Sequence, residues 1–552
     1  MTDGPSPAIF FHADAVETAG KDLVGRRAAG QSFLRAFLQH VPGSVVNAVT
    51  ATPDEGQAFV SAARDLGETR EIAMASLRRG DFTRFGTVFF PVPGFVDAPW
   101  RRLQSGTASC SLVGVTHTVS TRRVIENLHH LVSEPVEPWD AIICTSHAVK
   151  SVVSRQFAAE EAFFRDRFGA KQVPLPQLPV ISLGLHSADF AADPAHRAEA
   201  RARFGAPDDA IVVLTVGRFT SVEKASPGPL FLALEKVATE LGRPLHLWMT
   251  GWASRKPEEV LHKEGAAALA PNVTTTMIDG RDPWVRRWIW SGADIFTLPA
   301  DNVQETFGLV PVEAMGAGLP VVMPDWDGFK DTVLHGQTGF LVPTRMPPPG
   351  TGRLLAKRFA EGSDDYLRYL SLMLQQTQID IPAYAESILT LARDPELRRR
   401  MGAAGVAHIR KNFDWAAIIP RYLALAAELA EMRAKAPRTS GRLSSPIEID
   451  PYTLYADYPT GPLLPEALIT PRHGLTTAGL ARLDRFSGRA LYGRKVVADA
   501  LLLQIAALLE RSGPQTVAAL TEAVGATAPQ VTAAVLFLAK FDIVQITDAD
   551  GP

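Results

Sequence analysis

Residues 294–320 read DIFTLPADNVQETFGLVPVEAMGAGLP. The apolar run Asp294–Leu298 predicts a buried strand, and residues 300–307 then form a loop at its carboxyl end. A helix is expected to start near Gly308, with Pro311 tolerable in its first turn and Gly318 placed to end it. Strand, polar loop and helix in this order make one unit of a parallel sheet with helical crossovers. The same rhythm extends both ways. Ile211–Val216, Leu245–Thr250, Val273–Ile278 and Leu319–Met323 join Asp294–Leu298 in one series of strand candidates. Ala8–His12, Ser44–Val49, Thr87–Val92, Ser111–Thr116 and Asp140–Thr145 form an earlier series, with helical periodicity over Arg26–His40, Asp54–Leu66, Thr121–Val132 and His147–Phe168. The Pro-rich run Pro174–Pro179 divides the two and reads as a linker. Two open α/β domains side by side create a cleft, and ligands of such sheets bind at the carboxyl ends of the strands.

The composition bounds what can fill that cleft. A chain of 552 residues, 46% hydrophobic and 21% charged, is globular with two to four domains, not disordered throughout. A formal net charge of −3 argues against a whole-chain nucleic-acid binder. Cys110 and Cys144 are too few for a disulfide framework and lack metal-ligand spacing; both sit in apolar runs and read as buried thiols. The N-terminus lacks the basic and apolar regions of a signal peptide, and no segment supplies about 20 uninterrupted apolar residues. A cytoplasmic α/β enzyme is expected.

Three pieces carry the chemistry. In the loop and helix of residues 300–320, Glu305 precedes the helix start and Glu313 lies within the helix, so one carboxylate can reach a sugar while the other accepts from a ribose diol. The free N–H groups of that helix start suit a phosphate. The second piece, residues 216–225 (VGRFTSVEKA), puts Arg218 and Lys224 in one strand-end loop. Two cations beside a helix N-terminus suit a diphosphate leaving group. The third lies in the first domain: Gly25 at the start of a helix, and residues 115–118 (VTHT), with His117, after a strand.

These motifs resemble glycosyltransferase family 4. The paired glutamates of residues 305–313 (ETFGLVPVE) and the following AMGAGLPVV carry the likeness, supported by Gly217-Arg218 with Lys224 and by LGLHSADF at 183–190. GQTGFLVP at 336–343, DPELRRRMG at 394–402 and NFDW at 412–415 continue it. The resemblance covers about residues 8–430. It implies a GT-B fold, two Rossmann-like parallel-sheet domains facing across a cleft, and transfer of a sugar from a UDP- or GDP-sugar with retention of configuration. Arg218 and Lys224 would hold the diphosphate, Glu313 the ribose and Glu305 the transferred sugar. Backbone N–H groups of Phe307, Gly308 and Leu309 would contact the donor, His117 would lie near the sugar, and Gly25 would face phosphates and acceptor. Neither metal nor other cofactor is expected. Asp325-Trp-Asp327 has the look of a metal motif but reads as a turn completed by Gly328. Three departures stand out: Lys224-Ala225 where Lys-Gly is usual, Asp331 in place of a glutamate, and His186 in place of an aspartate.

The expected domains are 1–182 on the acceptor side, 183–436 for the donor, with an insertion at 345–378 and a closing helix Trp415–Met432, and a C-terminal module at 440–552. The boundary of this module is expected at Pro437–Pro446. Val496–Arg511, Thr516–Val524, Pro529–Lys540 and Ile543–Thr547 predict a winged-helix-like order. After residue 496, Arg511 and Lys540 stand against Asp499, Glu510, Glu522, Asp542, Asp548 and Asp550, so this module is expected to dock a protein or self-associate instead of binding nucleic acid. The acceptor, whether glycan, lipid-linked or protein, is not specified, and peripheral membrane contact stays open. A non-catalytic GT-B scaffold with an adaptor tail is the alternative from another class. A glycosidase reading of the two glutamates leaves Arg218 and Lys224 unexplained.

Overall fold

Apolar runs buried on both faces become the strands of two parallel sheets, as helical cover on both sides requires. The computed structural model of the protein describes residues 6–12, 25–437, 445–487 and 495–548. The first sheet holds β1 (Ala8–Phe10), β2 (Val45–Thr50), β3 (Glu71–Ser76), β4 (Thr87–Phe90), β5 (Ser111–Val115) and β6 (Ala141–Ile143), in the order β3-β2-β1-β4-β5-β6. The second holds β7 (Ile211–Val216), β8 (Leu245–Gly251), β9 (Thr274–Asp279), β10 (Ile295–Thr297), β11 (Val321–Pro324) and β12 (Gly339–Val342), in the order β12-β11-β10-β7-β8-β9. Every pair in both sheets is parallel. Each is the doubly wound order of a Rossmann-like domain, with switch points at β1/β4 and β7/β10 where ligand crevices open. The architecture is the expected GT-B arrangement. The loops after β7 and β10 are those that carry Arg218, Lys224 and Glu305.

The chain divides into two compact units, Met1–Ser444 and Ser445–Pro552. Within the first, two edge strands were not anticipated: β3, whose EIAMAS run is mostly half-exposed, and β12, which lies inside the GQTGFLVP motif. The Pro-rich segment is not a free linker. It runs along β6, with Ile142 N–H donating to the Gln177 carbonyl (2.8 Å) and Cys144 N–H to that of Pro179 (2.9 Å). An edge position tolerates prolines because their missing N–H is needed by no neighbour. The chain then crosses between domains twice. Leu185 N–H donates to Phe413 O (3.0 Å) and Trp415 N–H to Leu185 O (3.1 Å). Gly184 is needed here, since a Cβ would drive into the Trp415 ring.

The helix Trp415–Ala434 packs on the first sheet: Trp415, Ile418, Tyr422 and Leu429 share a core with Ile9, Phe37 and Phe89. The insertion is an ordered helical hairpin, Arg353–Ala360 and Tyr366–Leu374, closed at its base by antiparallel pairing of Thr344–Arg345 with Gln378–Ile379.

The second unit has its own core, including Ile469, Leu502, Ile505, Leu520, Val535 and Val544. Its strands order as Gln515–Thr516, Leu468–Pro471, Val544–Thr547, all antiparallel, around the helices Asp499–Ser512, Val517–Val524 and Ala528–Lys540. The central strand Leu468–Pro471 was not anticipated. Over residues 445–552 the sequence carries eight Lys and Arg against eleven Asp and Glu, so the unit as a whole keeps a net charge of −3, close to the −4 counted after residue 496. Residues 438–444 of the expected boundary, and Asp550, lie outside the described residues. Among the described residues no single helix is long and apolar enough to cross a membrane. One bent pair, Val517–Val524 with Ala528–Lys540, passes by length and composition, and most of its apolar side chains, though not Leu536, join the core of its own unit.

Candidate active site

The loops after β7 and β10 are stapled together. Asn302 Nδ2 donates to the Lys224 carbonyl (2.7 Å), Gln304 Nε2 to the Glu223 carbonyl (3.0 Å), and Ser226 N–H to Asp301 Oδ1 (3.2 Å). Arg218 and Lys224 line one pocket beside these staples. Lys224 Nζ lies 3.4 Å from Glu305 Oε2, and Arg218 Nη1 lies 3.5 Å from Glu223 Oε2. Both are long, loosely held pairs with all four side chains partly open to solvent, so either cation can turn to an incoming anion at little cost.

The helix Leu309–Gly316 begins at a glycine for a physical reason. Gly308 has φ +80°, and a Cβ there would collide with the Phe329 ring. Glu305 folds back over this helix start: its Oε1 accepts from Thr306 N–H (3.3 Å) and Gly308 N–H (3.2 Å). Of the three N–H groups expected to meet a donor, that of Gly308 is therefore held by Glu305, while Phe307 buries its ring against Phe413. Glu313 sits in the second turn of the helix, and its carboxyl has no hydrogen-bond partner among the described residues.

Burial pushes up both glutamates, and their surroundings then separate them. Around Glu305 the Lys224 charge and the two N–H groups outweigh burial and hold the carboxyl below its usual range. For Glu313 burial wins over the Lys224 charge and raises the carboxyl to about 7. Burial likewise raises Asp301 to about 7. Glu305 thus stays ionised against Lys224, while its neighbours Glu313 and Asp301 retain protons near neutrality.

The first domain supplies the opposite wall. His117, just past β5, accepts from Thr306 Oγ1 (3.0 Å) through its carbonyl, which brings it against the Glu305 loop. His117 also lines an apolar pocket with Phe10, Phe33, Phe89, Pro91 and Tyr422 at the carboxyl ends of β1, β4 and β5. Gly25 is the first residue of the helix Gly25–His40, and residues 13–24 before it lie outside the described residues. The structure thus brings Arg218, Lys224, Glu305, Gly308 and Glu313 to one wall with His117 across from them; the expected role of Gly25 falls at the edge of the described residues.

The departures find local partners. Ala225 is buried, Asp331 takes His147 through Nδ1 (2.9 Å) and backbone N–H (2.7 Å), and His186 Nε2 meets the Ser32 carbonyl (3.3 Å). Asp327 forms a turn at φ +42°, and Gly328 follows because a Cβ would strike the Phe307 backbone. Among the described residues no three His, Cys, Asp or Glu side chains are grouped to hold a metal ion. Sequence reasoning missed the staples Asp301, Asn302 and Gln304, although they lie in the stretch it singled out, and it missed Tyr366, whose hydroxyl reaches Gln304 (3.0 Å).

Asp327 yields a pH test. Burial, helped by the Glu305 charge, raises its carboxyl to about 8; Oδ1 meets Ser146 Oγ (3.4 Å), and Oδ2 has no hydrogen-bond partner among the described residues. Unfolded, an aspartate titrates near 4. A folded value above the unfolded one contributes stability that is complete below about pH 4 and lost as pH rises through about 8. Asp327→Asn should therefore gain in melting temperature relative to the parent between pH 5 and pH 9. A difference that stays constant over that range would contradict the burial argument.

Residues 210–351 match the family model described as Glycosyl transferases group 1. The second domain, with the cations and both glutamates, carries that match. A D-inositol 3-phosphate glycosyltransferase of Mycolicibacterium gilvum is 28% identical over 316 residues, covering 55% of this chain and 66% of that protein. One of Streptomyces bingchenggensis is 28% identical over 256 residues, 45% of this chain and 46% of that one. The chain thus spans less than two thirds of the length of these relatives. One of Kribbella flavida is 26% identical over 401 residues, 70% and 81% of the two chains. Among solved structures, Anabaena HepE in complex with UDP aligns at a TM-score of 0.47 with 14% identity, over 78% of this chain and all of that one. The family match and the relatives' names are likenesses of this chain to group 1 glycosyltransferases.

Proposed function

We propose that the protein is a retaining glycosyltransferase that takes a sugar from a UDP- or GDP-sugar. The observation that carries this reading is the Lys224–Glu305 pair at 3.4 Å, beside Arg218 and over the start of the helix Leu309–Gly316. Arg218 and Lys224 take the diphosphate, and Glu305, released from Lys224 and Gly308, turns to the hydroxyls of the transferred sugar. Glu313 accepts from the ribose diol, and His117 faces the sugar from the first domain. No metal is needed for this charge balance, because two permanent cations face the two phosphates.

In the reaction the bond from the anomeric carbon to the diphosphate oxygen breaks as the acceptor oxygen bonds to that carbon on the same face. The acceptor proton passes to the departing phosphate oxygen, so no enzyme nucleophile is required. Contacts across the cleft, such as Thr306 Oγ1 to the His117 carbonyl, keep water from the donor while it reacts. D-inositol 3-phosphate, named for the relatives, is the first acceptor to assay, ahead of glycan, lipid-linked and protein acceptors.

Thermal stabilisation by UDP, GDP and ADP, against the matching monophosphates, tests the donor reading. A rise in melting temperature for one diphosphate beyond its monophosphate is expected; no response to any of them would contradict it.

The proposed donor contacts all precede residue 343, and the helix Trp415–Ala434 that completes the first core ends before 440. Removing residues 440–552 should therefore leave a soluble protein with the parent's diphosphate affinity. A folded truncation that no longer binds would show that the second unit contributes to the donor site. That unit is assigned to protein docking or self-association; light scattering of parent and truncation, and a duplex-DNA titration, check the assignment. Tight, salt-sensitive DNA binding would contradict it.

A further inference from the structure

One line of hydroxyls and an amide connects all three site loops through the insertion. Thr118 Oγ1 lies 3.2 Å from Ser120 Oγ, and Ser120 Oγ lies 2.8 Å from Tyr366 Oη. Tyr366 Oη donates to Gln304 Oε1 (3.0 Å), and Gln304 Nε2 donates to the Glu223 carbonyl (3.0 Å). His117 precedes Thr118, Glu305 follows Gln304 and Lys224 follows Glu223, so each end and the middle of the line adjoin a proposed site residue. The proton directions are determined. A backbone carbonyl can only accept, so Gln304 must turn its NH₂ to Glu223 and its Oε1 to Tyr366. Tyr366 must then donate to Gln304 and is left to accept from Ser120.

The element that brings in Tyr366 is held firmly. Asp364 is buried and accepts from Arg358 Nε and Nη2 (2.7 Å each), with Arg368 Nε at 3.1 Å. Phe359 stacks on Tyr369 at 4.4 Å, and Asp365 caps the helix that Tyr366 begins. Arg122 of the first domain donates to the Ala360 carbonyl (3.0 Å), a second tie between the insertion and that domain.

We propose that Tyr366 is a positioning residue: its hydroxyl sets the register between the acceptor-side loop at 116–122 and the donor loops at 217–226 and 300–308. The proposal's kinetic consequence rests on the glycosyltransferase reading; its structural consequence does not. Tyr366→Phe keeps the ring and removes only the shared hydroxyl. Tyr369→Phe is the control, a tyrosine on the same helix whose hydroxyl has no hydrogen-bond partner among the described residues.

Amide hydrogen exchange on the full-length chain reads the coupling directly. Tyr366→Phe should speed exchange in 116–122 and 300–308, far from it in sequence, while Tyr369→Phe matches the parent. Ser120→Ala should produce the same change, and adding it to Tyr366→Phe should produce little more. In turnover, kcat for transfer should fall roughly tenfold, the size expected for one hydrogen bond lost from the reacting arrangement. KM for the donor should change less, and donor hydrolysis should take a larger share of turnover. Unchanged exchange at both loops, or equal changes in the Tyr369 control, overturns the proposal. A parent with no donor turnover sinks the glycosyltransferase reading and leaves the exchange result to judge Tyr366.

Discussion

Glu305→Gln is expected to cut sugar transfer by roughly 100-fold or more, the scale of losing one group that meets charge or hydroxyls in the transition state. The amide keeps the shape, and its Oε1 can still accept from Thr306 and Gly308 N–H, so the fold should survive. What disappears is the negative charge facing Lys224 at 3.4 Å. Glu313→Gln should behave differently with pH. Its carboxyl titrates near 7 and is largely protonated at pH 6, where the neutral amide is a close mimic. The loss should be small at pH 6 and grow toward pH 8, whereas the Glu305→Gln loss stays large throughout. Folded variants that transfer at the parent's rate at pH 8 would remove both residues from the site.

Arg218→Ala and Lys224→Ala should each weaken nucleoside-diphosphate binding by about 1.5–3 kcal/mol, the worth of a charge-assisted contact. Monophosphate and free nucleoside should suffer less, because their binding uses fewer phosphate contacts. The two variants are not equivalent. Arg218 is paired with Glu223 at 3.5 Å, outside the carboxylate cluster. Lys224 is the cation whose charge holds Glu305 ionised and opposes the rise of Glu313. Lys224→Ala should thus also shift the pH profile upward, with more of the carboxyls protonated at neutrality. Titration calorimetry showing equal losses for diphosphate and nucleoside would contradict a diphosphate role. A chelator should leave the parent's activity unchanged, and loss with EDTA would return Asp325 and Asp327 to consideration as ligands.

Much of the architecture was legible because long apolar strands buried on both faces announce themselves. Ile211–Val216 and the helix His147–Phe168 have the same ends in sequence and structure. β3 was hidden because an edge strand needs only one good face, and EIAMAS has neither alternation nor β-branched density. The Pro-rich run misled in the opposite sense: prolines signal a break, yet on a sheet edge they pair through carbonyls alone. At the site, charged residues inside a strand-end motif could be found from local spacing. Tyr366 could not. It meets Gln304 and Ser120 across 62 and 246 residues of chain, inside an insertion with no motif of its own. The protonation contrast between Glu305 and Glu313 was equally invisible, since it depends on which carboxylate the Lys224 side chain reaches.

The most direct test of the account is nucleotide release by the full-length protein supplied with UDP- and GDP-sugars, with and without D-inositol 3-phosphate and other candidate acceptors. The account predicts release of one nucleoside diphosphate above the no-enzyme background, slow without acceptor, unaffected by chelator and abolished in Glu305→Gln. A folded parent that releases neither UDP nor GDP from any donor, or a Glu305→Gln variant that releases it at the parent's rate, would contradict it.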